Sequence, residues 1–167
     1  MGLNNMLYQR LQNMFIKRTF ELEIPDIRIE RFENASFFID DLFQKSFGQA
    51  APTLPVDYVA FYKSDPSTFK AIGYIHMTEF PEYGLVGGLC VGVDHRHKGL
   101  GTTLLMGVER DIKGKKALFV HTSNPTIAKR CGYKRTKTQY LMVKWTQLVS
   151  KEEQEKLIEE VTKVGPF

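Results

Sequence analysis

Leu89-Cys90-Val91-Gly92-Val93-Asp94-His95-Arg96-His97-Lys98-Gly99-Leu100-Gly101-Thr102-Thr103-Leu104-Leu105 is the stretch that decides how this chain is read. It continues an apolar strand over residues 85–93 and passes through a basic turn that contains glycine. It then enters a helix over residues 99–113, with apolar positions at Leu100, Leu104, Leu105 and Val108. The start of a helix leaves N–H groups without intrahelical partners and carries a partial positive charge. Glycine in the turn lets an anion come close to those groups. Strand, basic glycine turn and helix in that order predict a phosphate site. Two other phosphate loops do not fit. The spacing G-x-x-x-x-G-K-[ST] is missing, and the dinucleotide fingerprint G-x-G-x-x-G needs a third glycine where Leu104 stands.

On the N-terminal side, apolar residues Leu3, Met6, Leu7, Leu11, Met14 and Phe15 follow helical spacing, which predicts a helix over residues 4–18. Residues 27–32 alternate as a strand, and Asn34 or Ser36 caps a helix carrying Phe37, Phe38, Leu42 and Phe43. Residues 56–63, 69–80 and 85–93 then read as three strands with short connections, hence an antiparallel meander. Asp65-Pro66-Ser67 and residues 81–84 form the turns between them. Beyond the glycine turn, residues 117–121 read as a strand parallel to 85–93. A short helix at 125–130 stops at Gly132, strands at 133–137 and 139–145 pair, and Ser150 opens a charged helix to about Lys163.

The 167 residues suit one domain, which at this size buries about 70% of its unfolded surface without a metal or disulfide. We expect a single domain over 1–167, with an extra N-terminal helix at 1–20, a core at 27–145 and a C-terminal helix at 150–163. The two cysteines, Cys90 and Cys131, form no metal-binding pair and predict a reduced, cytoplasmic setting. Residues 1–15 lack a signal-peptide core, and no apolar run reaches the roughly 18 residues of a membrane span. The net charge of +4 favours anionic ligands, among them nucleotides and nucleic acid. A nucleic-acid surface needs clustered cations with exposed aromatics, and no such stripe is present, so no nucleic-acid partner is expected.

The segment Arg96-His97-Lys98-Gly99-Leu100-Gly101, after Val91-Gly92-Val93, resembles the pyrophosphate signature R/Q-x-x-G-x-G/A of the GNAT superfamily. The family often has proline where Val93 stands. The order of elements over about residues 27–145 also resembles that fold, as does Asn124 after the strand at 117–121 and the pair Gly132-Tyr133 after the short helix. Many members carry a tyrosine, as acid to the leaving thiolate, at the position occupied here by Ala128.

The resemblance implies an α+β fold with a single mixed, mostly antiparallel sheet flanked by helices. It implies acetyl-CoA as co-substrate, no metal, and direct transfer of the acetyl group to a primary amine in a ternary complex. The pantetheine arm would run beside Leu89, Cys90, Val91 and Val93, between two splayed strands. Arg96, His97, Lys98, Gly99, Leu100, Gly101 and Thr102 would hold the pyrophosphate, and Asn124 would lie nearby. The alternative is a module of the same fold that holds acyl-CoA without turnover. The acceptor would be a small-molecule, peptide or protein amine, with no membrane partner and a monomer or homodimer as the unit.

Such an amine has an unperturbed pKa of about 10.4 and must shed a proton before it attacks. His121, at the end of its strand, is one candidate base. Glu79 and Glu82 are others, although they flank a turn that also reads as a solvated hairpin. Tyr140 could stand in for the tyrosine that Ala128 replaces. Cys90 reads as a small buried residue beside Gly88 and Gly92 rather than a nucleophile. Gly87-Gly88 inside a strand reads as a bulge that would splay it from its neighbour, or as a simple kink.

Overall fold

The structure is a computed structural model and describes residues 16–21, 27–32, 36–49, 57–62, 70–112 and 114–165. The elements run β1 (Ile16–Glu21), β2 (Ile27–Phe32), α1 (Ser36–Phe47), β3 (Asp57–Tyr62), β4 (Gly73–Glu79) and β5 (Tyr83–Val91). They continue with a 3-10 turn (Val93–His95), α2 (Leu100–Asp111), β6 (Ala117–His121), α3 (Thr126–Arg130), β7 (Lys134–Arg135), β8 (Leu141–Trp145) and α4 (Lys151–Val164). Among the described residues, the eight strands form one sheet in the order β1-β2-β3-β4-β5-β6-β8-β7. The β5–β6 pair is parallel and every other pair is antiparallel. This is the mixed, mostly antiparallel sheet that the sequence predicts.

The two sheet faces are built differently. On one face, Leu100, Leu104, Leu105 and Val108 of α2 pack on Ile29, Tyr58, Ile75, Val86 and Leu118. Burial of each such aliphatic side chain contributes about 1.5–3 kcal/mol. The spacing of these residues places them on one stripe of the helix, which orients α2 across the sheet. The other face is covered at one side by Ile39, Leu42 and Phe43 of α1, against Phe32, Val59, Tyr74 and Cys90. At its other side, Leu157 and Val161 of α4 cover Leu85, Phe119, Leu141 and Val143. The Ser150 side chain accepts the Glu153 N–H and so starts α4 where the sequence predicts.

The C-terminal end of α2 is fixed to the sheet. Asp111 accepts from Arg31 at 2.9 Å and from the Tyr58 hydroxyl at 2.6 Å. The N-terminal end of α2 lies against the end of β5, where a Cβ on Gly101 would stand 3.7 Å from Cγ2 of Val91.

Two of the expected elements differ in the structure. The expected helix at 4–18 falls largely outside the described residues, but its end does not: Ile16–Glu21 is a strand paired with β2. Pairing with a neighbouring strand overrides helical spacing there. The expected strand at 85–93 runs instead over Tyr83–Val91, and Val93 opens the 3-10 turn with 70% exposure. The Asp65-Pro66-Ser67 turn lies outside the described residues.

Candidate active site

The site begins with a fork in the sheet. β5 pairs with β6 from Tyr83↔Ala117 to Val86↔Val120 and no further, although β5 continues to Val91. On its other side β5 carries a bulge. Tyr74 pairs with Cys90 and His76 with Gly87, so β4 advances two residues while β5 advances three. Gly88 supplies the extra residue at φ +62°, in the left-handed region that favours glycine. Of the two readings of Gly87-Gly88, the bulge is the correct one.

The bulge also reverses the alternation of side chains. Val86, Leu89 and Val91 pack toward α2, whereas Leu85 and Cys90 belong to the opposite face. The backbone of residues 87–91 on the β6 side is left without a strand partner. That is the geometry an extended ligand needs in order to bond as an added strand.

The turn after the fork prepares a helix N-terminus. His97 stands at φ +60° and Gly99 at φ +81°. Gly99 is the N-cap of α2, and no side chain hydrogen-bonds to the N–H groups there. A Cβ on Gly99 would meet nothing within 4 Å, so glycine serves the backbone angle rather than space. Gly101 differs. It is buried, and a Cβ there would stand 2.7 Å from Cδ1 of Ile127, so its absence lets α3 pack on α2. The two glycines therefore answer different demands of the fold, backbone angle at Gly99 and helix packing at Gly101. Arg96 Nε donates to the Val91 carbonyl at 2.9 Å, which ties the turn to the end of β5. His97 and Lys98 are exposed, and Lys98 Nζ reaches the Asp94 carbonyl at 3.3 Å. Leu100 is buried beneath the turn, and Thr102 is half-buried on the first turn of α2.

The proton-transfer candidates separate into two groups. Glu79 and Glu82 lie at the far end of β5, by the hairpin, roughly 13–20 Å along the strand from Gly88. Both are in ion pairs there, Glu82 with Lys116 at 2.8 Å and Glu79 with Lys115 at 3.4 Å. A hydrogen bond from Lys116 and its charge lower the Glu82 pKa, the opposite of what a base near neutrality requires. Of the two readings the sequence leaves open for this pair, base or solvated hairpin, their ion pairs and their distance from the fork favour the hairpin.

His121 and Tyr140 lie at the fork end. His121 is the residue after the last β5–β6 pair and is half-buried, and burial lowers its pKa. Tyr140 is 57% exposed, at φ +65°, and its carbonyl accepts the Thr122 N–H at 2.8 Å. Asn124 is exposed and accepts from the Thr126 N–H at 3.3 Å, so it shapes the start of α3. Ala128 is 2% exposed within the core between α3 and α2, with no room for a tyrosine ring. Burial pushes the Cys90 thiol up to about 11, which agrees with a packing role.

Sequence reasoning overlooked His76. It is fully buried on β4, opposite Gly87, with Nε2 3.0 Å from the Thr78 hydroxyl. Its signal was a polar residue at an inward step of an alternating strand, after Tyr74. Among the described residues no group of His, Cys, Asp and Glu could hold a metal ion, and no helix is long and apolar enough to cross a membrane.

Residues 17–133 match the model of the acetyltransferase (GNAT) family. A comparison with curated proteins found no match. Solved structures with the same fold include the GNAT family N-acetyltransferase YhbS from Escherichia coli in complex with CoA. It is 19% identical at a TM-score of 0.52, over 77% of this chain and 81% of that one. A candidate N-acetyltransferase from Lactobacillus plantarum is 17% identical at a TM-score of 0.58, over 72% of this chain and 99% of its own. YhhK from Escherichia coli, bound to coenzyme A, is 17% identical at a TM-score of 0.55, over 71% and 98% of the two chains.

Proposed function

This chain belongs to the acetyltransferase (GNAT) family, and from that premise we propose that it moves an acetyl group from acetyl-CoA to a primary amine by direct attack. The observation that carries the proposal is the fork at Gly88 set beside the α2 N-terminus, which no side chain caps. The unpaired edge of Leu89, Cys90 and Val91 is the docking strand for the pantetheine arm. The N–H groups from Arg96 to Thr102 bind the pyrophosphate, with the side chains of Arg96 and Lys98 adding positive charge and His97 lying between them. Val93, which opens the 3-10 turn after β5, and Asn124, which precedes α3, would complete the path of acetyl-CoA. A strand N–H at Cys90 or Val91 polarises the thioester carbonyl and stabilises the oxyanion. Acetyl-CoA is a substrate here, not a resident cofactor.

A second reading has one observation in its favour. Ala128 fills the place at which the family often carries its acid, so the chain would hold acyl-CoA without turnover. We favour the enzyme, because a thiolate is a far better leaving group than an alkoxide and depends less on an acid. Tyr140 is an exposed tyrosine at that end.

Thermal unfolding with acetyl-CoA, CoA, ATP and NAD tests the binding site. A ligand at about 100 times its Kd adds roughly 2.7 kcal/mol. For a chain of this size that is a Tm rise of roughly 5–10 °C. We expect the rise with both CoA species and not with ATP or NAD. Release of CoA on addition of an amine then separates the enzyme from the binding module. No rise with either CoA species would reject the site.

A further inference from the structure

We propose that His121 accepts the proton of the attacking amine, through its Nε2. The inference rests on the acetyltransferase reading and adds the identity of the base.

Three observations lead to it. First, register places His121 at the fork. Val86↔Val120 is the last β5–β6 pair, so His121 stands level with Gly87, where the two strands part. Second, direction is set by its partner. His121 pairs with Leu141, which packs on the face shared by Leu85, Phe119 and α4. Cross-strand partners share a face, so His121 lies on the side of the sheet away from α2 and its N-terminus. An acceptor that enters from that side of the sheet meets His121 at the fork. Third, Nε2 of His121 is buried and has no hydrogen-bond partner. A buried imidazole nitrogen left without a partner is a rarity that calls for a role.

The surroundings suit a neutral imidazole. Its neighbours by register are Leu141 on β8 and Phe119 on its own strand, both apolar. Along the strands, titratable residues close to it in register are Tyr140, whose carbonyl accepts the Thr122 N–H, and His76 on β4 across Gly87. Burial alone lowers its pKa, with no charged neighbour contributing, so the ring is neutral at pH 7 and able to take a proton.

The step balances as follows. The ammonium form of the acceptor gives one proton to Nε2 and becomes the free amine. The amine nitrogen attacks the thioester carbonyl carbon, the C–N bond forms and the C–S bond breaks. The thiolate takes the second amine proton and leaves as CoA, and the proton on His121 passes to solvent.

Two measurements test this. The first follows the four histidine side chains by NMR during titration with acetyl-CoA, the His121 signal being assigned by its loss in His121→Gln. We expect the His121 signal to move on binding. A thermal shift with acetyl-CoA but an unmoved His121 signal would overturn the base assignment and leave the binding site standing. No thermal shift would overturn the underlying reading instead. The second compares His121→Gln with the native chain. We expect unchanged acetyl-CoA binding, turnover of a protonated alkylamine probe reduced about 100-fold or more, and loss of the acidic limb of its pH profile. Added imidazole restores part of the rate to His121→Ala. Equal turnover and an unchanged pH profile in His121→Gln would refute the proposal.

Discussion

Gly88→Ala isolates the bulge on which the fork depends. An L-residue held at φ +62° costs roughly 1–2 kcal/mol. The new Cβ would also stand 3.3 Å from Cε1 of Tyr74 and 3.8 Å from Cβ of His76, and both of those residues are fully buried, with little freedom to yield. Against this, alanine restricts the unfolded chain and returns about 0.4–1 kcal/mol. The backbone terms together leave a loss of about 0–1.6 kcal/mol. The contacts with Tyr74 and His76 add to it, and the backbone part alone lowers Tm by up to roughly 6 °C, at about 2–4 °C per kcal/mol. The chain can escape the strain only by expelling the bulge. That shifts the strand beyond Gly88 by one residue and exchanges the faces of Cys90 and Val91. Cys90 would then leave its cluster with Leu42, Phe43 and Tyr74. Either outcome disturbs the fork, so the Tm rise with acetyl-CoA should be largely lost. Gly114→Ala is the control, since Gly114 has φ +75° and nothing within 4 Å of a new Cβ. It carries similar backbone strain away from the site and should keep the full response. A Gly88→Ala chain with native Tm and native acetyl-CoA response would refute the reasoning, as would loss of the response in Gly114→Ala.

Other expectations follow from single contacts. Ala128→Tyr should lower stability by about 1–3 kcal/mol, read by denaturant unfolding, because Ala128 is buried where α3 packs on α2. It should add no activity. Glu82→Gln should leave turnover unchanged in a coupled CoA-release assay, since Glu82 is held by Lys116 at the far end of β5. Alkylation with iodoacetamide at pH 8 should be slow in the folded chain and fast after unfolding, because burial raises the Cys90 thiol to about 11 and raises Cys131 as well. His121 has a folded pKa below its ordinary value of 6.5, so the unfolded chain binds its proton more readily. Stability should then fall as pH drops below about 6.5 and on toward the folded pKa. His121→Gln should flatten that part of a Tm-against-pH curve.

Much of this chain was legible one residue at a time. The strand Ile27–Phe32, the strand Ala117–His121 and the α4 start at Ser150 match the sequence reading, because alternation and capping act within a few residues. The same is true of Gly99, whose left-handed angle at the head of α2 is a local demand. Tertiary structure decided the rest. Strand pairing replaced the end of the expected helix with β1, and the register of β5 against β6 set how far Glu79 and Glu82, at their hairpin, lie from the fork. Gly101 proved to be glycine because Ile127, 26 positions later, lies against it. His76 and His121 flank Gly87 only because three strands meet there. A local pattern sets what each segment can form. Hydrogen bonding and packing between segments distant in sequence set which residues meet, and in this protein the chemistry depends on those meetings.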